Sequence, residues 1–223
     1  MDVEQSSRFT ITPSPKAVVA EERARLLQDP GFGRIFTDHM VTIRFTEGQG
    51  WHSHSVGARE PFTLDPACAV LHYAQEIFEG MKAYRLGDGS IAMFRPEENA
   101  RRFAESAERM AMPALPEEIF LEAVEALVKI DTDWIPDGEG SLYLRPFMFA
   151  SETFLGVRPA AEYIFCVIAS PAGAYFKGGA KADSGRNRRG AGLKAPRRRP
   201  KTGVRQRDLI DHLAAGHERW HGL

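Results

Sequence analysis

A chain of 223 residues with 43% apolar and 26% charged residues has the composition of a folded globular protein, which excludes a collagenous, low-complexity or intrinsically disordered chain. The net charge of -1 conceals an asymmetry, because residues 1–176 carry 16 Lys and Arg against 26 Asp and Glu while residues 177–223 carry 13 against 4. Cys68 and Cys166 are too few and too far apart for a disulfide framework or a cysteine-rich zinc site, and no run approaches the roughly 20 apolar residues of a membrane span.

The first residues, MDVEQSSRFTITPSPK, have neither the basic start nor the apolar stretch of a signal peptide, so a cytoplasmic location is expected. AVVAEERARLL at 17–27, closed by Asp29-Pro30-Gly31, predicts a short helix. HMVTIRF, the turn EGQG and WHSHSV predict a β-hairpin. FEGMKAYRL and IAMFRP, either side of Gly87-Asp88-Gly89-Ser90, predict a second. Pro96-Glu97-Glu98 opens a helix to about Met110, with acids at the positive end of its dipole and Phe103, Ala107 and Met110 on its inner face. A second helix follows Pro116, with a broad stripe from Ile119 to Val128. After WIPDGEG come two strand-like runs, SLYLRPFMFAS and EYIFCVIAS. Two helices among hairpin strands indicate an α+β fold. Beyond Gly178 the periodicity fails in KADSGRNRRGAGLKAPRRRPKTG, dense in Gly, Pro and Arg, until RDLIDHLAAGHERW restores helical spacing.

Candidate chemistry sits in four places. Tyr143, Arg145, Phe147 and Phe149 share one strand face by their period of two, and an Arg among aromatics there either meets an anionic carboxylate, or sits at a strand end paired with a surface Glu or stacked on Tyr143. Pro146 predicts an edge strand or a bulge. Arg101 and Arg102 lie one turn into the helix from Pro96, where one of them, but not both, can face a pocket. Alternatively Arg101 pairs with Glu97 and Glu105, and Arg102 with Glu98. His217-Glu218-Arg219-Trp220-His221 has the spacing of a zinc-hydrolase helix, against which stand the preceding Gly216 and the lack of a downstream third ligand in this sequence. The basic run 194–207 could contact a polyanion, but without interleaved aromatics nucleic acid is not an expected partner.

Asp65-Pro66, VLHYAQEIFEGMKAYR at 70–85, FRPEENARRF at 94–103, LYLRPFMFAS at 142–151, LGVRP at 155–159 and ASPAGAYFKGG at 169–179, with TDHMV at 37–41 and GW at 50–51, resemble in order the N-terminal domain of the branched-chain amino acid aminotransferases. The resemblance implies the small α+β domain of the fold-type IV pyridoxal phosphate (PLP) enzymes over residues 31–179. Residues 1–30 then form an N-terminal extension with a short helix, and 180–223 an unmatched, Arg-rich and disordered tail. It implies transamination between Leu, Ile or Val and 2-oxoglutarate, hence branched-chain amino acids and 2-oxo acids as partners, and a homodimer. Arg102, in the N-x-x-R pattern begun by Asn99, matches the arginine on the cofactor phosphate. Tyr143 and Arg145 match the pair recognising the substrate carboxylate, Phe78 and Tyr175 line the side-chain pocket, and Tyr73 is contributed across the dimer. No metal is implied. Where the family continues into a Gly-rich loop bearing its Schiff-base lysine, this sequence departs; Lys177, Lys181, Lys194 and Lys201 lack the flanking pattern, and the larger cofactor domain is missing. The expectation is an aminotransferase by family that is inactive by itself, its tail resembling a shifted reading frame.

Overall fold

The computed structural model describes residues 8–173. Strands β1 (Thr10–Ile11), β2 (His39–Thr46), β3 (Gly50–Ala58), β4 (Glu76–Phe78), β5 (Met81–Arg85), β6 (Ile91–Met93), β7 (Ser141–Ala150) and β8 (Glu162–Ala172) form one sheet among the described residues. Its order is β1-β3-β2-β8-β7-β5-β6, with β4 also on β7, and all pairings are antiparallel except β1 with β3. Helices α1 (Ala20–Leu27), α2 (Ala69–Tyr73), α3 (Pro96–Arg109) and α4 (Glu117–Ile130) complete an α+β unit, as the hairpin-and-helix pattern predicts. The short α2 had no sequence expectation.

Alternation decides which side of the sheet packs. Leu142, Leu144 and Met148 of β7 stand in register with Ala169 and Phe165 of β8 and with Met81, Ala83 and Ile77, and all are buried. Against this side lie the apolar stripes of α3 and α4. Phe103 and Phe120 meet Phe165 with ring centroids 5.4 and 5.9 Å away, joining both helices to the sheet. Pro96 at the start of α3, with Arg95 before it in the left-handed region, sets the point where the chain turns into the helix. The opposite side presents Lys82, Phe78, Tyr143, Arg145, Phe147 and Phe149.

Two sequence expectations change. FEGMKAYRL is not one strand but β4 and β5, and β7 is central rather than an edge. Both differences have one cause. Register across the interruption is continuous, from Phe78 opposite Phe147 to Met81 opposite Leu144, which puts Glu79 opposite Pro146. The Glu79 N–H donates to the Pro146 carbonyl at 2.8 Å, but the proline has no N–H to return the bond. The ladder is therefore broken at Glu79-Gly80 while the strand runs straight on. Pro146 marks a local irregularity inside the sheet.

Residues 10–30 dock on the sheet through specific polar bonds. Asp38 accepts the Val18 N–H at 2.9 Å and the Trp134 indole N–H at 2.7 Å. The Ser14 N–H donates to Nε2 of buried His39, which fixes that ring's proton on Nδ1, where it donates to Asp131 at 2.6 Å. Burial raises the Asp131 carboxyl above its usual range, against the opposing bonds from His39. The expected helix at 17–27 begins only at Ala20, since Val18 is held by Asp38.

Candidate functional site

The broken ladder organises the site. Odd-numbered residues of the run 76–85 face the helices, so Glu79 is directed inward beneath α3 while Phe78, Gly80 and Lys82 face the open side. A carboxylate among Ile77, Met81 and Ala83 is costly unless its acceptors are filled. They are filled from one side of α3. Arg102 donates Nε–H to Oε1 at 3.1 Å and Nη2–H to Oε2 at 3.0 Å, and Asn99 Nδ2 donates to Oε2 at 2.9 Å. The hydrogen bond to Glu79 is the main reason that the Arg102 guanidinium is held still more firmly protonated than usual. Asn99 also reaches the Gly80 carbonyl at 3.3 Å.

Glu98, the neighbour expected for Arg102 by helix spacing, is not the one it uses. Glu98 instead pairs with Arg101 at 2.8 Å and Arg95 at 2.6 Å, on the exposed side of α3. Arg102 alone of the two consecutive arginines lines a cavity of about 490 Å³, with Gly80, Lys82, Phe94, Arg95 and Asn99. One Arg faces a pocket and one faces solvent, as a 100° step between consecutive helical residues requires.

On the open side, Arg145 donates Nη2–H to the Tyr143 hydroxyl at 2.9 Å. Its guanidinium carbon lies 4.6 Å from the Phe78 ring centroid and 5.4 Å from that of Tyr143. Its Nε–H is buried without an acceptor. The surface-Glu alternative for Arg145 does not occur; the stack on Tyr143 does, shared with Phe78. Gly80 makes this arrangement possible, because a Cβ there would run into the Tyr143 ring, whose Cζ would be 3.1 Å away. Phe32 meets Tyr143 edge-on at 5.0 Å, and Phe62, Phe147 and Phe149 form an aromatic cluster further along.

Phe78, Tyr143 and Arg145 are thus brought together, and the dipeptide Glu79-Gly80 links them to Arg102. Tyr73 stands apart, its hydroxyl donating to the Leu155 carbonyl near exposed Leu71 and Val157. Tyr175, the tail, the lysines from 177 onward and the His217–His221 spacing lie outside the described residues. Among the described residues no three His, Cys, Asp or Glu side chains gather as a metal site, and no helix is long and apolar enough to cross a membrane. Glu79, Gly80 and Asp131 were not singled out by sequence. For Glu79 a signal existed, since period two along EIFEGMKA puts it on the apolar side.

No protein-family model matches the chain. It is 61% identical over 173 residues to a probable branched-chain-amino-acid aminotransferase of Streptomyces coelicolor, covering 77% of this chain and 48% of the relative. To the branched-chain-amino-acid aminotransferase of Mycobacterium tuberculosis it is 52% identical over 176 residues, covering 78% and 48%. The solved Escherichia coli branched-chain amino acid aminotransferase matches 65% of this chain and 42% of its own, at 24% identity and a TM-score of 0.48. The chain spans about half the length of the curated relatives it matches.

Proposed function

Because this chain belongs, over about three quarters of its length, to the branched-chain aminotransferase family, we propose that it forms the small-domain wall of that family's active site, recognising a branched-chain amino acid or 2-oxo acid by its carboxylate. One observation carries the reading: the Nε–H of Arg145 is buried, unpaired and surrounded by aromatic rings. A buried donor on a guanidinium costs about 1–3 kcal/mol or more when it has no acceptor. A substrate carboxylate supplies that acceptor, while Tyr143, accepting from Nη2, keeps its own hydroxyl proton to give to the second carboxylate oxygen. Phe78, with the guanidinium carbon 4.6 Å from its ring centroid, offers a branched aliphatic side chain an apolar wall. Tyr175 completes that wall by family likeness, and Tyr73 serves the neighbouring subunit of a homodimer. The carboxylate end and the apolar end then fix the substrate's orientation.

Pyridoxal phosphate is the family's cofactor, and when bound it supplies the electron sink for moving an amino group. The residues present suit its phosphate: Arg102 has the outer edge of its guanidinium unclaimed among the described residues and lines a cavity of about 490 Å³. Family lysine chemistry is another matter, since none of Lys177, Lys181, Lys194 and Lys201 has the expected flanking sequence. We expect these 223 residues to bind substrate carboxylate without turning it over. The test pairs equilibrium binding of 4-methyl-2-oxopentanoate with a leucine and 2-oxoglutarate transamination assay. Binding abolished by R145M, with no glutamate formed, supports the reading. No binding, or sustained turnover lost on K194A or K201A, overturns it.

A further inference from the structure

Arg102 does not enter its cavity as an independent side chain. A guanidinium offers five N–H groups in one plane, and Glu79 takes one edge of that plane, Nε and Nη2, side-on. The end-on edge of Nη1 and Nη2 has no protein acceptor on Nη1 among the described residues. The Glu79 side chain is only 3% exposed whereas that of Arg102 is 35% exposed. Asn99, one helical turn before Arg102, braces the same carboxylate from α3.

Resting on the reading that Arg102 takes the cofactor phosphate, we propose that Glu79 is the positioning residue for that arginine: its buried carboxylate clamps the side-on edge, with Asn99 as brace, and presents the end-on edge to a phosphate monoester. Charge and orientation pull in opposite directions here. A carboxylate 3.0 Å from the guanidinium offsets the positive charge that would attract a dianion. Against that, an arginine already held in one geometry has less side-chain freedom to lose when the phosphate arrives, and its planar fork is aimed rather than searching. The buried setting favours orientation. A free arginine would reach phosphate just as well with Glu79 replaced by the apolar residue that its strand face otherwise carries.

The opposition makes the role testable. Pyridoxine 5′-phosphate carries the phosphate without an aldehyde to react with lysines, and its affinity for the full chain is measured against that of pyridoxine. The ratio of the two dissociation constants isolates the phosphate's contribution. R102A should lower that ratio; if it does not, the phosphate reading of Arg102 fails, and the role of Glu79 with it. With Arg102 so confirmed, E79Q should lower the ratio about 3- to 10-fold, the worth of one immobilised long side chain. An E79Q ratio unchanged or raised, in protein folded by circular dichroism, overturns the positioning role alone, because a strut between α3 and the sheet would change stability and not this ratio. Should E79Q not fold, the unmodified chain decides by ¹⁵N NMR. Pyridoxine 5′-phosphate should shift the Arg102 Nη resonances and leave Nε–H in place; a displaced Nε–H signal would mean that the ligand dislodges Glu79 and would overturn the proposal.

Discussion

Arg145→Met should stabilise the fold while abolishing carboxylate binding. The arginine holds a buried Nε–H with no acceptor, a loss of about 1–3 kcal/mol, to which desolvation of a half-buried guanidinium adds. Offsetting this are its bond to Tyr143, worth about 1 kcal/mol, and its placement over the Phe78 and Tyr143 rings, worth about 0.5–2 kcal/mol. Methionine keeps a similar stem length and recovers part of the ring contact through sulfur, about 0.3–1.5 kcal/mol. The opposing contributions leave a net gain of about 1 kcal/mol, or a midpoint of thermal unfolding higher by about 2–4 °C for a chain of this size. Affinity for 4-methyl-2-oxopentanoate should meanwhile fall by about 10- to 10²-fold, since the charge-assisted hydrogen bond from Nε–H is lost together with its cation while Tyr143 remains. Urea unfolding of both proteins, with ligand titration by calorimetry, measures the two effects. A variant less stable by more than about 1 kcal/mol would refute the reasoning, because the ring stack and not a missing ligand would then explain why the arginine is there.

Asp131→Ala leaves His39 Nδ1–H and the His39 backbone N–H without their acceptor, and should cost about 2–6 kcal/mol in urea unfolding. Because burial raises the Asp131 carboxyl, the folded state holds its proton more tightly than the unfolded chain; its contribution to stability is fully present below about pH 4 and lost as pH rises through the folded value, so D131N should flatten the pH profile across the carboxylate range. Gly80→Ala should displace the Tyr143 ring at about 1–3 kcal/mol and weaken 2-oxo acid binding, read from the Tyr143 NMR signals and by titration; an unmoved ring would count against the close approach. The Cys166 thiol, pushed up to about 12 by burial, should resist iodoacetamide at pH 8 until the protein unfolds, as mass spectrometry of the labelled chain would show.

Local pattern made much of this fold legible. The hairpin β2–β3 was readable because its turn is Gly-rich and its first run β-branched, β5–β6 because of the turn Gly87-Asp88-Gly89-Ser90, and α3 and α4 because Pro96 and Pro116 open apolar stripes. Arg145 was visible as an oddity, an ion on an aromatic strand face. What sequence spacing could not supply was the partner across space. Glu79 becomes the keystone of the Arg102 cluster only when Pro146, 67 residues later in the chain, is set opposite it. His39 and Asp131 are 92 residues apart. Helix spacing paired Arg102 with Glu98 because neighbours on the same helix are the only ones a periodic reading can see, whereas the fold offered a better-buried carboxylate from the sheet.

The strand order carries a consequence for how this chain is made. The first hairpin, β2–β3, finds its inner neighbour only in β8, where Val41 meets Val167 roughly 125 residues downstream. On a ribosome adding 5–20 residues each second, β2 waits about 6–25 s with its hydrogen-bonding edge unmatched. Helices α3 and α4 emerge in that interval, but the Phe165 that joins them to the sheet does not. Closure of the sheet is therefore a late, non-local event of the kind that slows folding and exposes strand edges to other chains. Synthesis that stalled before residue 160 would release a chain holding the β2–β3 hairpin and the strands gathered on β7 but not β8, the strand that joins the two groups, a natural substrate for chaperones.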